Sequence, residues 1–185
     1  MTVDPTDHRL VRLSRFLSYV LRHRPDAVGL ALDAAGWVEV DALLAACAAH
    51  GRPLTRDELE QVVARDDKQR YAFGDDGLRI RASQGHSVAV ELGYEPRMPP
   101  EILYHGTTER FLEAIRREGL RRGERHHVHL SADEETARRV GARRGRPVVL
   151  RVRAGEMARA GTPFFLSANG VWLTEGVGVG FIEEG

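Results

Sequence analysis

The segment GYEPRMPP, residues 93–100, separates two halves of the chain that differ in character. It contains three prolines and a glycine, and proline can continue neither a helix nor a central strand because it lacks the backbone N–H. We therefore predict two lobes, residues 1–92 and residues 93–185. A chain of 185 residues is long enough for two small lobes, each with its own core.

Two helices are expected early in the N-terminal half. Apolar residues recur at helical spacing from Leu10 to Leu21, which predicts a helix over residues 10–24 that Pro25 ends. A short alternating strand, GWVEV, follows. It leads into DALLAACAAH, where Asp41 is expected to cap the second helix.

A third helix and a hairpin complete the N-terminal half. In LTRDELEQVVARD, Thr55 and Glu58 have the spacing of a capping box. The stretch RYAFGDDGLRIRA then predicts two strands around a Gly-Asp-Asp-Gly turn. Three helices and a hairpin form the outline of a winged helix, a module that binds nucleic acid in many proteins and only protein in others.

The C-terminal half alternates strands and helices, so we expect an α+β lobe. Strands are predicted in EILYHGT, HHVHLSAD, PVVLRVRA and FFLSANGVWLT. Helices are predicted in ERFLEAIRREG, ended by Gly119, and in EETARRVGARRG.

Composition and charge point to an ordinary soluble protein. The formal net charge is zero, which argues against a protein that coats nucleic acid non-specifically. Lys68 is the only lysine among 27 basic residues, and arginine grips phosphate with two parallel hydrogen bonds. The base composition of the genome explains an arginine excess equally well, so each arginine has to be judged by its neighbours.

We expect a cytoplasmic protein with no membrane segment. The N-terminal sequence has no signal-peptide pattern, and no run approaches the roughly 20 apolar residues needed to span a bilayer. Cys47 is the only cysteine, which rules out a disulfide framework and a thiolate metal site within this sequence. We interpret it as a buried small apolar side chain.

Two basic clusters in the N-terminal half are candidates for anion binding. Arg22, His23 and Arg24 lie at the end of the first predicted helix, where the helix dipole favours positive charge whether or not a ligand binds. Arg70 precedes the hairpin in a polar stretch that is equally typical of a solvated loop.

The C-terminal half holds a turn and a histidine-rich strand with ligand-binding potential. His105, Gly106 and Thr107 end a strand, and the exposed backbone N–H groups of such a turn can hold an amide or a phosphate oxygen. His127 and His129 are expected on one strand face. Zinc is one interpretation, but no carboxylate or cysteine completes a recognisable spacing, so we expect a ligand-binding histidine and no metal.

A further candidate is the glycine-flanked stretch GARRGRP, whose arginines Arg143, Arg144 and Arg146 could clamp a phosphate or simply form a solvated basic loop. Two nucleotide-binding patterns are not met. The chain has no GxxxxGK[ST] sequence, and GVGVG near the C-terminus lacks the strand–helix context of a dinucleotide fingerprint.

In order, these segments resemble the KptA family of RNA 2′-phosphotransferases, also called tRNA 2′-phosphotransferases. The resemblance runs from about Ser14 to about Thr174. The matching strings are LSRFLSYVLRHRP, GWVEVDALL, DDKQRYAF, IRASQGHSV, LYHGT, HVHLSAD, GARRGRPVVLRV and NGVWLT. The tail differs, since the family usually continues with a Val-Pro-Pro type segment where this chain has EGVGVGFIEEG.

The resemblance implies a winged-helix lobe that binds RNA and an ADP-ribosyltransferase-like lobe with an NAD cleft. It implies that NAD is consumed in two steps. The RNA 2′-phosphate first displaces nicotinamide from C1″ of the NAD ribose, and the ribose 2″-hydroxyl then attacks the phosphorus. The products are RNA with a 2′-hydroxyl and ADP-ribose 1″,2″-cyclic phosphate. RNA carrying a 2′-phosphate and NAD are the expected partners, with no obligate protein partner.

The resemblance also assigns residues. The family's Arg-His-Arg-Arg catalytic set falls on Arg22, His23, Arg70 and Arg143. The residues expected to contact NAD are His105, Gly106, Thr107, His129, Ser131, Asn169, Val171, His86 and Ser87. Many protein-modifying relatives of the fold have a glutamate where this chain has Val171, and its absence suits an acceptor that brings its own negative charge.

Two alternatives remain open at this point. The first keeps the fold and changes the acceptor, giving an ADP-ribosyltransferase that caps a terminal phosphate of RNA or DNA. The second is a non-enzymatic winged-helix regulator, which predicts no NAD binding.

Overall fold

A computed structural model describes residues 5–184 of the chain. Over this range it contains six α-helices and eleven short strands, a mixed α+β architecture. The chain divides into two compact units, Met1–Gly93 and Tyr94–Gly185, and each has its own hydrophobic core. No helix in the described range combines the length and apolarity needed to cross a membrane.

The first unit contains three helices and one small sheet. Its elements are α1 (Pro5–Arg22), a 3₁₀ helix (Pro25–Val28), β1 (Val38–Glu39), α2 (Val40–Ala49), α3 (Arg56–Ala64), β2 (Tyr71–Phe73) and β3 (Arg79–Ala82). The sheet is antiparallel in the order β1-β3-β2, and the turn between β2 and β3 is the predicted hairpin. The apolar face of α1 packs into the core, where Leu17, Val20 and Leu21 are fully buried.

Two helix starts differ from the sequence prediction. The first helix begins at Pro5, five residues before the predicted start at residue 10. Proline fits the first turn of a helix because the N–H it lacks has no partner there. The second begins at Val40, with Glu39 at the N-cap and Asp41 in the first turn, so the prediction of Asp41 as cap was wrong. Val38 and Glu39 pair with β3, and the helix starts directly after that pairing.

The start of α3 and the burial of Cys47 were predicted correctly. The Thr55 hydroxyl accepts a hydrogen bond from the Glu58 N–H, and the Glu58 carboxylate accepts one from the Thr55 N–H. Cys47 is fully buried in α2, and burial raises the pKa of its thiol to about 11.

The second unit has more and shorter elements. They are β4 (Leu103–Thr108), α4 (Glu109–Glu118), β5 (Leu120–Arg121), β6 (Val128–Leu130), α5 (Glu134–Gly141), a 3₁₀ helix (Ala142–Arg144), β7 (Pro147–Val152), α6 (Ala154–Arg159), β8 (Phe165–Leu166), β9 (Trp172–Thr174), β10 (Gly176–Val177), a 3₁₀ helix (Val179–Phe181) and β11 (Ile182–Glu184).

Three antiparallel sheets organise the second unit. Their strand orders are β11-β7-β4, β6-β9-β8 and β10-β5. The atypical tail supplies β10 and β11, and β11 extends the sheet by pairing with β7. The helix predicted over EETARRVGARRG ends earlier, at Gly141, and Arg143 lies in the 3₁₀ helix that follows.

Candidate active site

The end of α1 brings Arg22 and His23 together with the segment QGHS. The Ser87 N–H donates a hydrogen bond to the Arg22 carbonyl oxygen at 2.9 Å. The Ser87 hydroxyl lies 2.9 Å from Nδ1 of His23, within hydrogen-bond distance. Gly85 has a φ of +85°, and a Cβ added to it would lie 3.5 Å from Nη1 of Arg22. Glycine therefore lets the chain turn closely around the Arg22 guanidinium.

Arg70 is held next to this helix end by a buried carboxylate. The Asp66 side chain is only 3% exposed, and its carboxylate accepts hydrogen bonds from the backbone N–H of Arg70 at 2.6 Å and from the Arg70 guanidinium. Nη2 of Arg22 lies 3.5 Å from the carbonyl oxygen of Arg70. The first unit therefore gathers Arg22, His23, Arg70 and Ser87, which we call the α1-end cluster.

His86 and Ser87 are neighbours in sequence but lie in different surroundings. Ser87 is exposed, whereas His86 is 2% exposed and packs beside Gly36, whose added Cβ would lie 3.4 Å from Nε2 of His86. The structure thus places His86 inside the first unit and Ser87 at its surface in the α1-end cluster.

In the second unit, β4 and β6 meet at one point and then separate. Tyr104 and Ser131 exchange backbone hydrogen bonds of 2.9 and 2.8 Å. The next pair in register would be Gly106 with His129, but no backbone hydrogen bond joins these two among the described residues. Nδ1 of His105 instead donates to the His129 carbonyl oxygen at 3.1 Å. A gap therefore opens between the strands beside Gly106.

The backbone of Gly106 faces this gap. Hydrogen bonding alternates along an antiparallel strand, and Tyr104 directs its N–H and C=O to Ser131. Gly106, two residues on, therefore points its N–H and C=O to the same side, away from β7. This leaves one donor and one acceptor side by side, the pattern that a primary amide complements.

Gly106 has a packing role as well. A Cβ at this position would overlap the carbonyl oxygen of Ala137 in α5, and one at Gly141 would lie 2.8 Å from the carbonyl oxygen of Thr107. Two glycines therefore let α5 lie directly on β4. Thr107 itself is buried, on the opposite face of β4 from Gly106.

The histidines beside the gap have defined hydrogen-bonding roles. Nη1 of Arg125 lies 3.3 Å from Nδ1 of His129, which must accept because guanidinium only donates. Burial lowers the pKa of His105 below its ordinary value, and the charges of Arg144 and Arg125 lower it further, although its bond to His129 opposes this shift. Burial and the two guanidinium charges therefore favour the neutral ring of His105.

Two arginines lie near His105: Arg144 of the GARRGRP stretch, and Arg125, which the sequence analysis did not single out. Partial burial of the Arg125 side chain lowers its pKa, and the like charge of Arg144 lowers it again. No carboxylate contributes to that shift. Two guanidinium groups that repel each other in this way favour the binding of an anion between them.

Ser167 shapes the turn that carries Asn169 and Val171. Its buried hydroxyl contacts Oδ1 of Asn169 at 2.7 Å and accepts from the Val171 N–H at 3.0 Å. The pairing of β6 with β9, continued by one residue, places Ser131 beside Val171. Asn169, Val171 and Ser131 thus lie at one end of this strand pair, and sequence reasoning missed Ser167 as the residue that orders the turn.

Arg143 lies at the second unit's surface, in the 3₁₀ helix that packs against β4. Among residues 5–184 there is no group of three or more histidine, cysteine or carboxylate side chains placed to hold a metal ion.

Comparison with known proteins gives consistent matches over nearly the whole chain. The model of the RNA 2′-phosphotransferase, Tpt1 / KptA family matches residues 8–176. A probable RNA 2′-phosphotransferase of Streptomyces coelicolor is 62% identical over 169 residues, which cover 91% of this chain and 92% of the relative. The RNA 2′-phosphotransferase of Escherichia coli K12 is 52% identical over 178 residues, covering 96% of this chain and 97% of the relative.

Proposed function

Because the chain belongs to the Tpt1/KptA family of RNA 2′-phosphotransferases, we propose that it removes an internal 2′-phosphate from RNA and transfers it to NAD. The products would be RNA with a 2′-hydroxyl, nicotinamide and ADP-ribose 1″,2″-cyclic phosphate. The reaction would pass through RNA whose 2′-phosphate carries ADP-ribose. The names of the curated relatives support the phosphotransferase part of this proposal.

We assign the RNA to the first unit and most of the NAD contacts to the second. Three helices followed by the β2–β3 hairpin support a winged-helix lobe in the first unit. The gap between β4 and β6, with small antiparallel sheets around it, supports an ADP-ribosyltransferase-like lobe in the second.

The observation that carries the NAD proposal is the pair of backbone groups that Gly106 presents at the gap. A nicotinamide carboxamide has one acceptor oxygen and an NH₂ donor, so it can pair with both groups at once. His105 and His129 flank the same gap, and Ser131 directly follows β6. We assign Ser131 to a hydrogen bond with a ribose hydroxyl.

Arg125 and Arg144 fit the diphosphate of NAD. Their mutual repulsion would be relieved by a dianion, and guanidinium groups form the strongest phosphate hydrogen bonds among side chains. NAD contacts remain predictions for Thr107, His86, Ser87, Asn169 and Val171.

The α1-end cluster fits the RNA 2′-phosphate. Arg22 and Arg70 provide two guanidinium groups, with that of Arg22 close to the backbone carbonyl oxygen of Arg70, and Ser87 orients the His23 ring. In the first step a phosphate oxygen forms a bond to C1″ while the bond from C1″ to nicotinamide breaks, and the departing ring nitrogen takes the electron pair. Holding phosphate and ribose in place is worth about 7–11 kcal/mol in model reactions.

In the second step the 2″-hydroxyl oxygen bonds to phosphorus and loses its proton, while the bond from phosphorus to the RNA 2′-oxygen breaks and that oxygen gains a proton. We assign His23 to a hydrogen bond with phosphate or the reacting hydroxyl. We assign Arg22, Arg70 and Arg143 to the stabilisation of the negative charge that develops on the phosphate oxygens.

The test mixes purified protein, an oligoribonucleotide with one internal 2′-phosphate, and NAD. We expect 2′-hydroxyl RNA and ADP-ribose cyclic phosphate only when NAD is present. His23→Ala and Arg143→Ala should lose most of this activity, whereas Arg146→Ala, on a neighbouring exposed arginine, should keep it. A stable ADP-ribosylated nucleic acid as the end product would contradict the proposal and favour terminal-phosphate capping.

A further inference from the structure

A groove of about 630 Å³ runs along α1 and the segment that follows α3, entirely within the first unit. This volume falls within the range of about 300–1,000 Å³ that is typical of ligand sites. Ser14, Arg15 and Ser18 of α1 form part of one wall, and Arg65, Lys68 and Arg70 form part of the other. We call it the α1–α3 groove.

The groove leads to the α1-end cluster. Ser14, Ser18 and Arg22 are spaced four residues apart and therefore lie on one face of α1. Arg70 lines the groove and also contacts Arg22 through its carbonyl oxygen. A chain whose phosphate is held by the cluster can therefore continue directly into the groove.

The chemistry of the groove suits a polynucleotide backbone. Arg15, Arg65 and Lys68 give it a positive rim. One of its two acids, Asp66, is buried and hydrogen-bonded to Arg70, which leaves Asp67 as the exposed acid among the lining residues. Arginine, lysine and serine are among the side chains that contact the phosphate and sugar oxygens of nucleic acids.

The groove also offers apolar contact. Val11, half exposed on α1, and Leu10 and Val62 line it next to the serine hydroxyls. Among the lining residues that the structure describes there is no aromatic ring for base stacking and no asparagine or glutamine for reading base edges. Contacts of this kind hold a strand without selecting its sequence.

We propose that the α1–α3 groove binds the single-stranded RNA next to the 2′-phosphate, through its phosphates and ribose hydroxyls. This inference rests on the proposed function, because it takes the 2′-phosphate to lie at the α1-end cluster. It extends the RNA site by Arg15, Ser18 and Arg65, to which neither the sequence motifs nor the comparisons assign a role.

Two matched variants on one helix test the proposal. Arg15 and Arg12 are both exposed residues of α1, but only Arg15 lines the groove. Binding without NAD is measured by fluorescence anisotropy for Arg15→Glu and Arg12→Glu. The two probes are an octaribonucleotide with a central 2′-phosphate and a dinucleotide with the same 2′-phosphate.

Arg15→Glu should weaken binding of the octaribonucleotide by about tenfold and leave dinucleotide binding unchanged, whereas Arg12→Glu should match the wild type on both. For Arg15→Glu and the octaribonucleotide, the negative slope of log K against log salt concentration should become shallower by about 0.7. This is the value for the loss of one phosphate contact on a single strand. Thermal melting checks that both variants are folded.

Three outcomes would overturn the groove assignment. Arg15→Glu could bind the octaribonucleotide as tightly as the wild type, or Arg15→Glu and Arg12→Glu could lose the same amount of affinity. Arg15→Glu could also lose the same amount of affinity for the dinucleotide as for the octaribonucleotide. The first would leave the groove to a different ligand, such as a peptide. NAD-dependent turnover of the octaribonucleotide by the wild type is measured separately. If binding depends on Arg15 but the wild type shows no turnover, the groove assignment is supported and the proposed reaction is contradicted. A failure of the groove assignment can therefore be distinguished from a failure of the proposed reaction.

Discussion

The buried carboxylate of Asp66 accepts hydrogen bonds from both the backbone N–H and the guanidinium of Arg70. The side chain of Asp66 is 3% exposed and that of Arg70 is 29% exposed. The carboxylate of Asp66 is therefore fixed inside the protein, whereas the guanidinium of Arg70 reaches the surface. Asp66 is therefore a positioning residue for Arg70. It does not itself need to touch substrate.

Asp66→Asn should lower kcat/KM for RNA by about ten- to a hundredfold, since a displacement of about 1 Å in a reacting group can cost a hundredfold. The KM for NAD should not change, because Asp66 holds Arg70, which is assigned to the RNA phosphate and not to NAD. Steady-state kinetics with each substrate varied in turn measures both values.

Asp75→Asn, on an exposed acid of the hairpin turn, is the control and should behave as wild type. Asp66→Glu, which keeps the charge, should recover part of the activity. If Asp66→Asn melts at the wild-type temperature and turns over RNA at the wild-type rate, the positioning role is wrong.

Ser87→Ala should reduce kcat by about two- to tenfold, because a hydrogen bond contributes about 0.5–1.5 kcal/mol. The loss comes from freer rotation of the His23 ring, whose Nδ1 lies 2.9 Å from the Ser87 hydroxyl. Single-turnover kinetics with saturating NAD measures the effect, and Ser87→Thr should restore it. Equal rates for the alanine variant and the wild type would show that this bond does not orient the histidine.

The parts of the fold that were predictable depend on local patterns. Thr55 and Glu58 form their capping box through neighbouring residues, so four consecutive positions of sequence suffice to recognise it. The helix start at Val40 was missed because pairing of Val38 and Glu39 with β3, some forty residues later, sets it. The strand at Ile182–Glu184 likewise depends on a distant partner, β7, and the tail has no local strand signal.

Within the candidate site, too, some residues could be predicted from the sequence and others could not. Family motifs identified Gly106 and Arg70, but the residues that shape their surroundings carry weaker signals. Asp66 lies four residues before Arg70, a spacing that many exposed helical pairs share, and only its burial distinguishes it. Ser167 looks like an ordinary loop serine until the turn around it is known.

Gly106→Ala should destabilise the second unit strongly. The added methyl group would overlap the carbonyl oxygen of Ala137. This atom belongs to the backbone, so the overlap can be relieved only if α5 as a whole moves away from β4. Overpacking of this kind costs about 1–3 kcal/mol and sometimes more. Thermal unfolding followed by circular dichroism should show a lower midpoint.

Gly180→Ala provides the control for this variant, since a Cβ there meets no atom within 4 Å. It should melt close to the wild type. A Gly106→Ala protein with an unchanged melting temperature would contradict the close packing of α5 on β4.

The lowered pKa of His105 predicts a loss of stability in mild acid. Burial disfavours the charged ring in the folded state, whereas the unfolded chain takes up a proton near its ordinary pKa of about 6.5. As the pH falls through that value, the unfolded state binds more protons, so the free energy of unfolding decreases. The stabilisation is therefore fully present above about pH 6.5 and declines below it.

His105→Asn removes this titration and should flatten the dependence of unfolding free energy on pH between about 7.5 and 5.5. His127, whose pKa burial also lowers, should retain part of the slope. His50→Asn is the matched control, because Nδ1 of His50 also contacts a backbone carbonyl but the side chain is exposed. Urea unfolding at a series of pH values measures the slopes, and identical slopes for His105→Asn and wild type would show that His105 can be protonated in the folded protein.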